Sequence, residues 1–389
     1  MTIKDHLFIV ISGDNGNALG VIRSIGEAGI KPILIYLAEE SHIQFLVFSK
    51  YLSTIHVVQS YEEGVNLLLD KYSHQKQKPF VYSCDDSLES ILDHRFEELY
   101  DDFYFFHAGE KDRVNALMDK HEICRYAESC GLRIPRQVVV KKGELPVGLS
   151  YPIITKSIKS IVGGWKSDSF ICHDETELLS AYDTIASPVL LIEEYIEKKN
   201  ELTLEGFSVN NGKEVFVPLQ ITYLRIPKGT FGHYLSCSLF DDETLRKQVT
   251  GLIQRCRFSG CFEIEFLLDT HDQLWFLEVN FRFSFWNYPV TFSGLNYPLM
   301  WAESTVANRI IRPEESSYTT LPIKESFTAM NEPGDFGQSV IQGKYPISKW
   351  LRDIRRSDML FIYNSRDKRP AFHFWINKII RKFRRKRKS

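Results

Sequence analysis

Two apolar runs separated by a short polar linker constrain the fold more than any other feature of this sequence. The first run spans 261–269 (CFEIEFLLD) and the second spans 274–282 (LWFLEVNFR), with Thr-His-Asp-Gln between them. Runs rich in aromatic and branched residues on either side of four polar residues predict an antiparallel hairpin. A hairpin fixes which residues stand opposite one another, so the sequence predicts a register as well as two strands.

The predicted register brings four oxygen-bearing side chains together. If the turn is symmetric, Glu265 faces Glu278, and Glu263 faces Asn280, all on one face of the sheet. Like charges that face each other are destabilising, and the apolar neighbours strengthen the repulsion. A divalent cation removes the conflict, because carboxylate and amide oxygens are ligands that Mg²⁺ accepts together with phosphates. A solvated hairpin face with unrelated acids is the alternative, and Arg282 adds a cation nearby.

The first hundred residues predict a parallel sheet. An apolar strand at 7–12 is followed by a glycine-rich turn, a helical pattern and a second strand at 33–36, and another strand comes at 80–83. This β-turn-α-β order is typical of parallel sheets. Nicotinamide binding is the alternative interpretation of the glycine-rich turn. It is disfavoured because the glycines lack the fingerprint spacing and no acid ends the second strand at Tyr36.

Five further side chains have two interpretations each. Asp85 and Asp86 are interpreted as helix N-cap residues, with a ligand role as the alternative. Phe283, Phe285 and Trp286 are interpreted as core residues, with stacking against a ligand as the alternative.

The hairpin resembles the metal-binding element of the ATP-grasp superfamily. Glu265, Glu278, Asn280 and Arg282 fall where that family keeps its magnesium carboxylates, its Glu-x-Asn element and the arginine that follows. The resemblance covers roughly residues 112–312 and implies an ATP-dependent ligase. Glu265, Glu278 and Asn280 would bind two Mg²⁺ ions (or Mn²⁺), and Arg282 would be catalytic.

The same resemblance implies an ATP site in segments that occur in family order. Asp119-Lys120, with the following 131–135 (GLRIP), resembles the element that opens the ATP-grasp domain. Lys156 resembles the lysine that holds the α- and β-phosphates, and the loop at Gly163-Gly164 would close over them. Residues 191–196 (LIEEYI) resemble the hinge that reads adenine. The implied ATP-binding residues are Lys120, Lys156, Glu193, Glu194, Tyr195, Ile196 and Glu201.

Two other segments bear on the reaction. Residues 225–233 (RIPKGTFGH) resemble a segment of the D-aspartate ligase-like branch that faces the γ-phosphate, which implies a catalytic Arg225 and involves Lys228; a solvated basic loop is the alternative. Residues 287–292 read NYPVTF where biotin carboxylases carry Glu-His-Pro-Val-Thr-Glu. Both glutamates are missing, including the one that would serve as base for bicarbonate, so carboxylation is disfavoured. Phe281 stands where many members carry proline or threonine.

These observations lead to one expected architecture and function. We expect an α/β protein with a Rossmann-like pre-ATP-grasp domain at 1–110, a two-lobed ATP-grasp domain at 111–320 hinged near 193–196, and a C-terminal extension at 321–389. The resemblance implies a carboxylate–amine ligase that forms an amide through an acyl phosphate from small-molecule substrates, with a cell-envelope precursor or sugar as one acceptor class. A nucleotide-binding scaffold without turnover is the alternative, and a homodimer is left open.

The charge of the chain is uneven. The net charge is −2, but eight basic residues and no acid lie between 378 and 388, which leaves 40 basic against 50 acidic residues, or about −10, elsewhere. This negative charge over the rest of the chain disfavours nucleic-acid binding. Seven scattered cysteines without a Cys-x-x-Cys pair, no apolar run of 18 residues and no signal-peptide pattern predict a cytoplasmic protein.

The basic tail predicts an amphipathic helix that starts near Pro370. Its apolar residues recur with helical spacing at Phe372, Trp375, Ile376, Ile379, Ile380 and Phe383. A basic amphipathic helix with aromatic residues on its apolar face is typical of interfacial membrane segments. We therefore expect residues 371–388 to contact an anionic membrane, which would make the protein peripheral on the inner face. Packing of this helix on the protein's own core and nucleic-acid contact are the alternatives.

Overall fold

The computed structural model describes residues 3–38, 44–159, 165–226 and 231–386, the last six of them by their backbone alone. The predicted Gly163-Gly164 loop and Lys228 lie outside the described residues. The described chain forms a parallel sheet, a small antiparallel sheet and a large mixed sheet. This confirms the predicted α/β fold class.

The N-terminal part forms a four-stranded parallel sheet with flanking helices. Its elements are β1 (Phe8–Ser12), α1 (Gly16–Glu27), β2 (Ile33–Leu37), β3 (Thr54–Val58), α2 (Tyr61–Tyr72), β4 (Phe80–Ser83), α3 (Asp86–His94) and α4 (Phe96–Leu99). The strand order is β3-β2-β1-β4 and every pair is parallel. All residues of β1 and β2 are buried, because both faces of the sheet are covered.

A small lobe follows after two connecting helices. Its elements, with those helices first, are α5 (Arg113–Leu117), α6 (Lys120–Ser129), β5 (Gln137–Lys141), β6 (Ile153–Ser157), β7 (Ile171–Cys172), α7 (Glu175–Thr184) and β8 (Val189–Glu194). The strands pair in the order β5-β8-β6-β7, all antiparallel. Helix α6 begins where the sequence predicted, because the Asp119 side chain caps it by accepting from the backbone amides of His121 and Glu122.

The remainder of the chain builds the large sheet, which contains the predicted hairpin, and the helices that follow or connect its strands. Its elements are β9 (Lys198–Val209), β10 (Glu214–Arg225), β11 (Tyr234–Leu239), α8 (Glu243–Cys256), β12 (Gly260–Asp269), β13 (Leu274–Asn280), α9 (Asn287–Phe292), α10 (Tyr297–Ala307), β14 (Ser326–Met330), α11 (Glu332–Asp335), α12 (Ile347–Arg356), β15 (Met359–Leu360) and α13 (Lys368–Lys386). The strand order is β13-β12-β9-β10-β11-β14-β15.

The predicted register is confirmed at the residues that matter for the site. Glu265 pairs with Glu278, and Glu263 pairs with Asn280. A bulge between Glu265 and Phe266 shifts the pairing by one residue toward the turn, so the symmetric-turn assumption holds only on the far side of the bulge. Such bulges re-aim side chains locally, here next to the two facing carboxylates.

The segment after residue 320, which the sequence predicted as a C-terminal extension, contributes strands to the large sheet. Strands β14 and β15 extend the large sheet beyond β11. Residues 361–367 then return to the parallel sheet, where the buried Arg23 of α1 donates to the carbonyl oxygens of Phe361 and Ile362 at 2.6 and 2.9 Å. Arg23 also pairs with the buried Asp367. No sequence pattern indicates these contacts, because they join residues more than 300 positions apart.

The apolar interior is divided unevenly. One core runs continuously from the inner face of the parallel sheet through α6 to the large sheet, and a second covers the outer face of the parallel sheet. The small lobe has a third core of its own, built around Ile153, Leu178, Tyr182, Leu190 and Ile192. No helix in the described part of the chain is long and apolar enough to cross a membrane.

Candidate active site

A cleft of about 480 Å³ gathers most of the predicted site residues. It is lined from the parallel sheet, from the small lobe and from β9, β12 and β13 of the large sheet. The predicted residues among its lining are Lys120, Lys156, Glu201, Glu265, Glu278, Asn280 and Arg282. A larger groove of about 550 Å³ runs between α9 and residues 357–366, and its lining contains none of the predicted site residues.

The hairpin supplies the acidic centre of this cleft. The Asn280 amide donates to a carboxylate oxygen of Glu263 at 2.8 Å and to one of Glu265 at 3.0 Å. The Arg282 guanidinium donates to the Asn280 side-chain oxygen at 3.1 Å. Three carboxylates and an amide thus share a face of two strands, as the register requires.

Each of the four cations in the described lining is paired with a carboxylate. These pairs are Lys120 with Glu278, Lys156 with Glu193 at 2.5 Å, Lys198 with Glu201 at 2.5 Å, and Arg282 with Asp86 at 2.8 Å. Glu263 and Glu265 are the acids in that lining for which the structure gives no ion pair with a cation. The described cleft therefore has two carboxyl groups at its centre without an ion-pair partner in its lining.

The pKa values of the hairpin carboxyls reflect this imbalance. Burial, followed by repulsion from Glu263 and Glu278, raises the pKa of Glu265 well above its ordinary value. Burial and the neighbouring Glu205 raise the pKa of Glu263 to about 8. By contrast, Lys120 lowers the pKa of Glu278 to about 2. Burial and repulsion between the carboxyls thus favour protons on Glu263 and Glu265, although the nearby Arg282 lowers both pKa values.

This donor set fits a hard divalent cation. Mg²⁺ takes carboxylate and amide oxygens and would relieve the repulsion that raises the two pKa values. Among the described residues, no group of three or more His, Cys, Asp or Glu side chains is already gathered as a metal centre. The ammonium of Lys120 lies against Glu278, so a metal at that carboxylate would have to displace it.

The predicted hinge residues have different hydrogen-bond partners. Glu193 is 3% exposed, and its carboxylate accepts from Lys156. Glu194 points elsewhere, because its carboxylate accepts from the backbone and the guanidinium of Arg136 at 2.9 and 3.1 Å. The Tyr195 amide donates to the Pro152 carbonyl at 3.0 Å. The Glu194 side chain and the Tyr195 amide are therefore engaged within the small lobe.

Arg225 does not lie where the sequence predicted. It is absent from the described lining of the cleft, and its guanidinium pairs with Asp335 at 2.9 Å and with Asp353 at 2.5 Å. The Tyr345 ring lies 3.8 Å from it. Two carboxylates and an aromatic ring satisfy this cation, so the structure does not support the catalytic role predicted for Arg225. The sequence could not show this, because the partners lie more than 100 residues downstream.

Among the cleft residues that were not included in the predicted site, four have charged or amide side chains. Asp86, at the start of α3, holds Arg282, whereas Asp85 fills the capping role that the sequence predicted for this pair. Lys198 pairs with Glu201, and Glu263 completes the acidic face. Asn17 joins the parallel sheet to the large sheet by donating to the carbonyl oxygens of Cys84 and Phe283. Only Glu263 had a sequence signal, its place in the hairpin register.

The glycine-rich turn after β1 packs against an aromatic side chain. A Cβ atom at Gly16 would lie 2.1 Å from the ring of Phe285, so glycine is needed for this close approach. Phe285 and Trp286 line the cleft, and Trp286 is only 5% exposed, whereas Phe283 is wholly in the core. The turn therefore meets a phenylalanine ring where a dinucleotide site would need room for a pyrophosphate.

The segment that departs from biotin carboxylases lies in helix α9. Asn287 is completely buried, and its amide donates to the carbonyl oxygens of Asn17 and Ser284 at 3.0 and 2.5 Å. Phe292 packs against Phe327 with ring centroids 5.0 Å apart. Both positions serve packing in this chain, and neither offers a base.

Part of the chain is similar in sequence to a known enzyme. No protein-family model matches the chain. N5-carboxyaminoimidazole ribonucleotide synthase of Staphylococcus aureus (strain COL) is 27% identical over 132 residues, which are 34% of this chain and 34% of that enzyme. The match thus spans about a third of the length of these curated relatives.

Solved structures resemble most of the chain. N5-carboxyaminoimidazole synthetase from Staphylococcus aureus complexed with ADP has a TM-score of 0.64 at 16% identity, covering 87% of this chain and 86% of that one. L-amino acid ligase from Bacillus licheniformis has a TM-score of 0.60 at 16% identity, covering 83% and 78%. Biotin carboxylase from Campylobacter jejuni has a TM-score of 0.62 at 16% identity, covering 84% and 75%. Together with the order of the sheets and the hairpin register, these likenesses show that the chain has the ATP-grasp fold.

Proposed function

We propose that this protein is an ATP-dependent carboxylate–amine ligase. The observation that carries the proposal is the pairing of Glu265 with Glu278 and of Glu263 with Asn280, within a cleft that also holds Lys120 and Lys156. Carboxylate pairs that need a divalent cation, next to lysines suited to phosphates, match the chemistry of phosphoryl transfer from ATP. The likeness to structures bound to ADP supports the same interpretation.

ATP binding would exchange the partners of two lysines. In the structure, Lys120 pairs with Glu278, and Lys156 pairs with Glu193. When Mg-ATP enters, each lysine can turn to a phosphate, while Glu278 turns to the metal and Glu193 accepts from the adenine amino group. Ile196 follows the two engaged hinge positions, so its backbone would face adenine, and Glu201 would accept from the ribose hydroxyls. Bound magnesium supplies charge neutralisation on the transferring phosphoryl group.

The proposed reaction has two steps. A substrate carboxylate oxygen attacks the γ-phosphorus, the bond to the β-phosphate oxygen breaks, and ADP and an acyl phosphate form. An amine nitrogen then attacks the acyl carbon, phosphate leaves with the C–O electron pair, and the amine loses a proton to solvent. Arg282, held by Asp86 beside Asn280, is placed to stabilise the anionic adduct. No side chain needs to act as a covalent nucleophile.

The residues around the cleft favour an organic carboxylate over bicarbonate. Beyond the acidic hairpin, the cleft is bordered by Phe285 and Trp286. These aromatic side chains can pack against an apolar substituent of a substrate. The buried Asn287 and the packed Phe292 provide no base for bicarbonate. Carboxylation, the activity suggested by the names of the relatives, is the second candidate.

An acyl-phosphate trapping assay tests this function. The purified chain would be incubated with ATP, Mg²⁺ and hydroxylamine, together with amino acids and cell-envelope precursors as carboxylate donors. We expect ADP release to depend on one carboxylate class and to be accompanied by its hydroxamate, which reports the acyl phosphate before the amine partner is known. ADP release with bicarbonate alone would support carboxylation instead. ATP binding with no ADP under any condition would support a scaffold without turnover.

Two glutamate substitutions make the assay specific. Glu265→Gln removes one charge from the hairpin centre and should abolish ADP release. Glu214→Gln changes an exposed glutamate on strand β10 of the same sheet and should leave it unchanged. Equal activity of the two variants would contradict the proposal.

The finer substrate class and the location of the protein rest on helix α13. One side of the helix docks on residues 44–48: His373 stacks on Phe48 with centroids 3.3 Å apart, and the Asn377 amide donates to the Gln44 carbonyl. The predicted apolar stripe lies partly in solvent, since Phe372 is 61% and Ile379 is 55% exposed. We infer a cytoplasmic enzyme that is peripheral on an anionic membrane, where an amino acid would be joined to a cell-envelope precursor or sugar.

Vesicle flotation tests the role of α13. The full chain should float with anionic vesicles at low salt, and a chain ending at Pro370 should float less. Both chains must first show the same melting temperature, because Ala371 and Phe374 contact the body of the protein. If both chains float equally, α13 is not an anchor.

A further inference from the structure

Helix α12 and the residues before it present an exposed apolar strip with basic neighbours. Ile341 is 68% exposed, Ile347 is 55% exposed and Leu351 is 44% exposed. Ile347 and Leu351 are four residues apart and therefore stand one above the other on the same side of the helix. Unlike single exposed aliphatic residues, which are common, these lie together on one short segment.

The inner side of α12 is fixed, so this strip cannot turn inward. Trp350 is 8% exposed, and its ring nitrogen donates to Asp335 at 2.9 Å. The ring of Phe336 packs 4.8 Å from it. One turn later, Asp353 pairs with Arg225 at 2.5 Å. These contacts hold the helix by one side and leave Ile347 and Leu351 in solvent.

The charge around the strip has one sign. Between 344 and 356 there are five basic residues and a single acid, Asp353, whose carboxylate is occupied by Arg225 and by the Tyr345 hydroxyl. All five basic side chains are exposed: Lys344, Lys349, Arg352, Arg355 and Arg356. Arg355 lies one turn after Leu351 on the same side of the helix. The segment is thus a cationic rim around an aliphatic strip.

We propose that this surface, residues 341–356, docks on an anionic lipid bilayer. Aliphatic side chains that enter the headgroup region next to basic side chains that meet anionic lipids are the combination that interfacial segments use. Without this surface and the 378–388 tail, the chain has 35 basic and 49 acidic residues, or about −14, and this remainder is repelled by the same lipids. Charge therefore favours contact of the bilayer with these two basic segments over contact with the rest of the surface. This surface is separate from α13 in sequence and does not depend on the ligase activity.

Flotation of full-length variants tests the surface without ATP. The double substitution Ile347→Ser with Leu351→Ser removes the strip, and Arg352→Gln with Arg355→Gln removes two charges. Leu321→Ser, at a residue 71% exposed elsewhere, is the matched control. Vesicles of phosphatidylcholine with or without phosphatidylserine, at low salt, serve as the lipid surface.

We expect the charge variant to lose roughly fivefold in partition coefficient for each basic residue removed, the strip variant to lose at least about tenfold, and Leu321→Ser to bind like the parent. Melting temperatures should stay within about 2 °C of the parent, since all the substituted side chains are exposed. Unchanged flotation of both double variants would overturn the proposal, as would equal binding to neutral vesicles. A change in the solution mass of the strip variant, with flotation retained, would assign the strip to a second copy of the chain.

Discussion

Replacing Glu278 by glutamine keeps the shape of the hairpin face and removes one of two facing carboxylates. A charge pair about 4 Å apart at an effective dielectric constant near 20 is worth roughly 4 kcal/mol. Because the Glu278 side chain is 31% exposed, we take about two thirds of this, about 2.7 kcal/mol, as the lost stabilisation of the transition state. That loss corresponds to a fall of about 100-fold in kcat.

The structure adds a second signature that separates this effect from simple damage. Lys120 pairs with Glu278 in the cleft, so Glu278→Gln frees its ammonium for phosphates. Calorimetry without Mg²⁺ should therefore give ATP affinity equal to or tighter than that of the parent, while ADP release at saturating Mg²⁺ falls about 100-fold. Glu214→Gln serves as the control. Near-parental turnover at saturating Mg²⁺ would refute the metal assignment, and weaker metal-free ATP binding would refute the exchange of partners.

Three further predictions follow from contacts in and behind the cleft. Lys156→Ala should weaken ATP binding measured by calorimetry about 10- to 100-fold, the range for losing a charged hydrogen bond. Substitution of the exposed Lys199 by alanine should leave the ATP affinity unchanged. Unchanged affinity of Lys156→Ala would mean that the phosphates bind elsewhere. Gly16→Ala should destabilise by about 1–3 kcal/mol in denaturant titrations because its methyl group meets Phe285, and adding Phe285→Ala should return part of the loss; an additive loss would contradict this contact. Glu205 is buried with its pKa raised from 4.5 to about 8 by burial, so its contribution to stability is full below about pH 4.5 and is lost progressively as the pH rises to about 8. Without Mg²⁺, the free energy of unfolding of Glu205→Gln should rise relative to that of the parent by about 1.4 kcal/mol for each pH unit from 5 to 7.5. Parallel plots of unfolding free energy against pH for the two proteins would contradict this prediction.

The elements that could be predicted are those with local signals. The polar linker predicted the hairpin, and the start of α6 follows from the capping side chain of Asp119. The register at Glu263 and Glu265 agrees with a symmetric turn only because a bulge, which the sequence did not predict, offsets the pairing nearer the turn. Integration of residues 326–330 and 359–360 into the large sheet has no such signal. It depends on pairing with β11, a strand some 90 residues earlier in the chain, and on contacts of residues 361–367 with Arg23.

The residues of the site also fall into those with a local sequence signal and those without one. The hairpin residues and Lys156 could be located because strand alternation and strand ends place them, and the resemblance gave them roles. Asp86 could not be assigned, because its partner Arg282 lies 196 residues away. Arg225 was placed in the cleft by resemblance alone, and the acidic residues that hold it come from the C-terminal segment, which lies outside the part of the chain that the resemblance covers.

The separate core of the small lobe has a thermodynamic consequence. The parallel sheet and the large sheet share one apolar interior, whereas the lobe that carries Lys156 has its own. Units with separate cores can melt separately, so the free protein need not unfold in one cooperative step. A nucleotide that touches Lys156 on one unit and Lys120 on the other binds only while both are folded, and it therefore links their unfolding equilibria. The melting temperature of the small lobe would then rise with the ATP concentration.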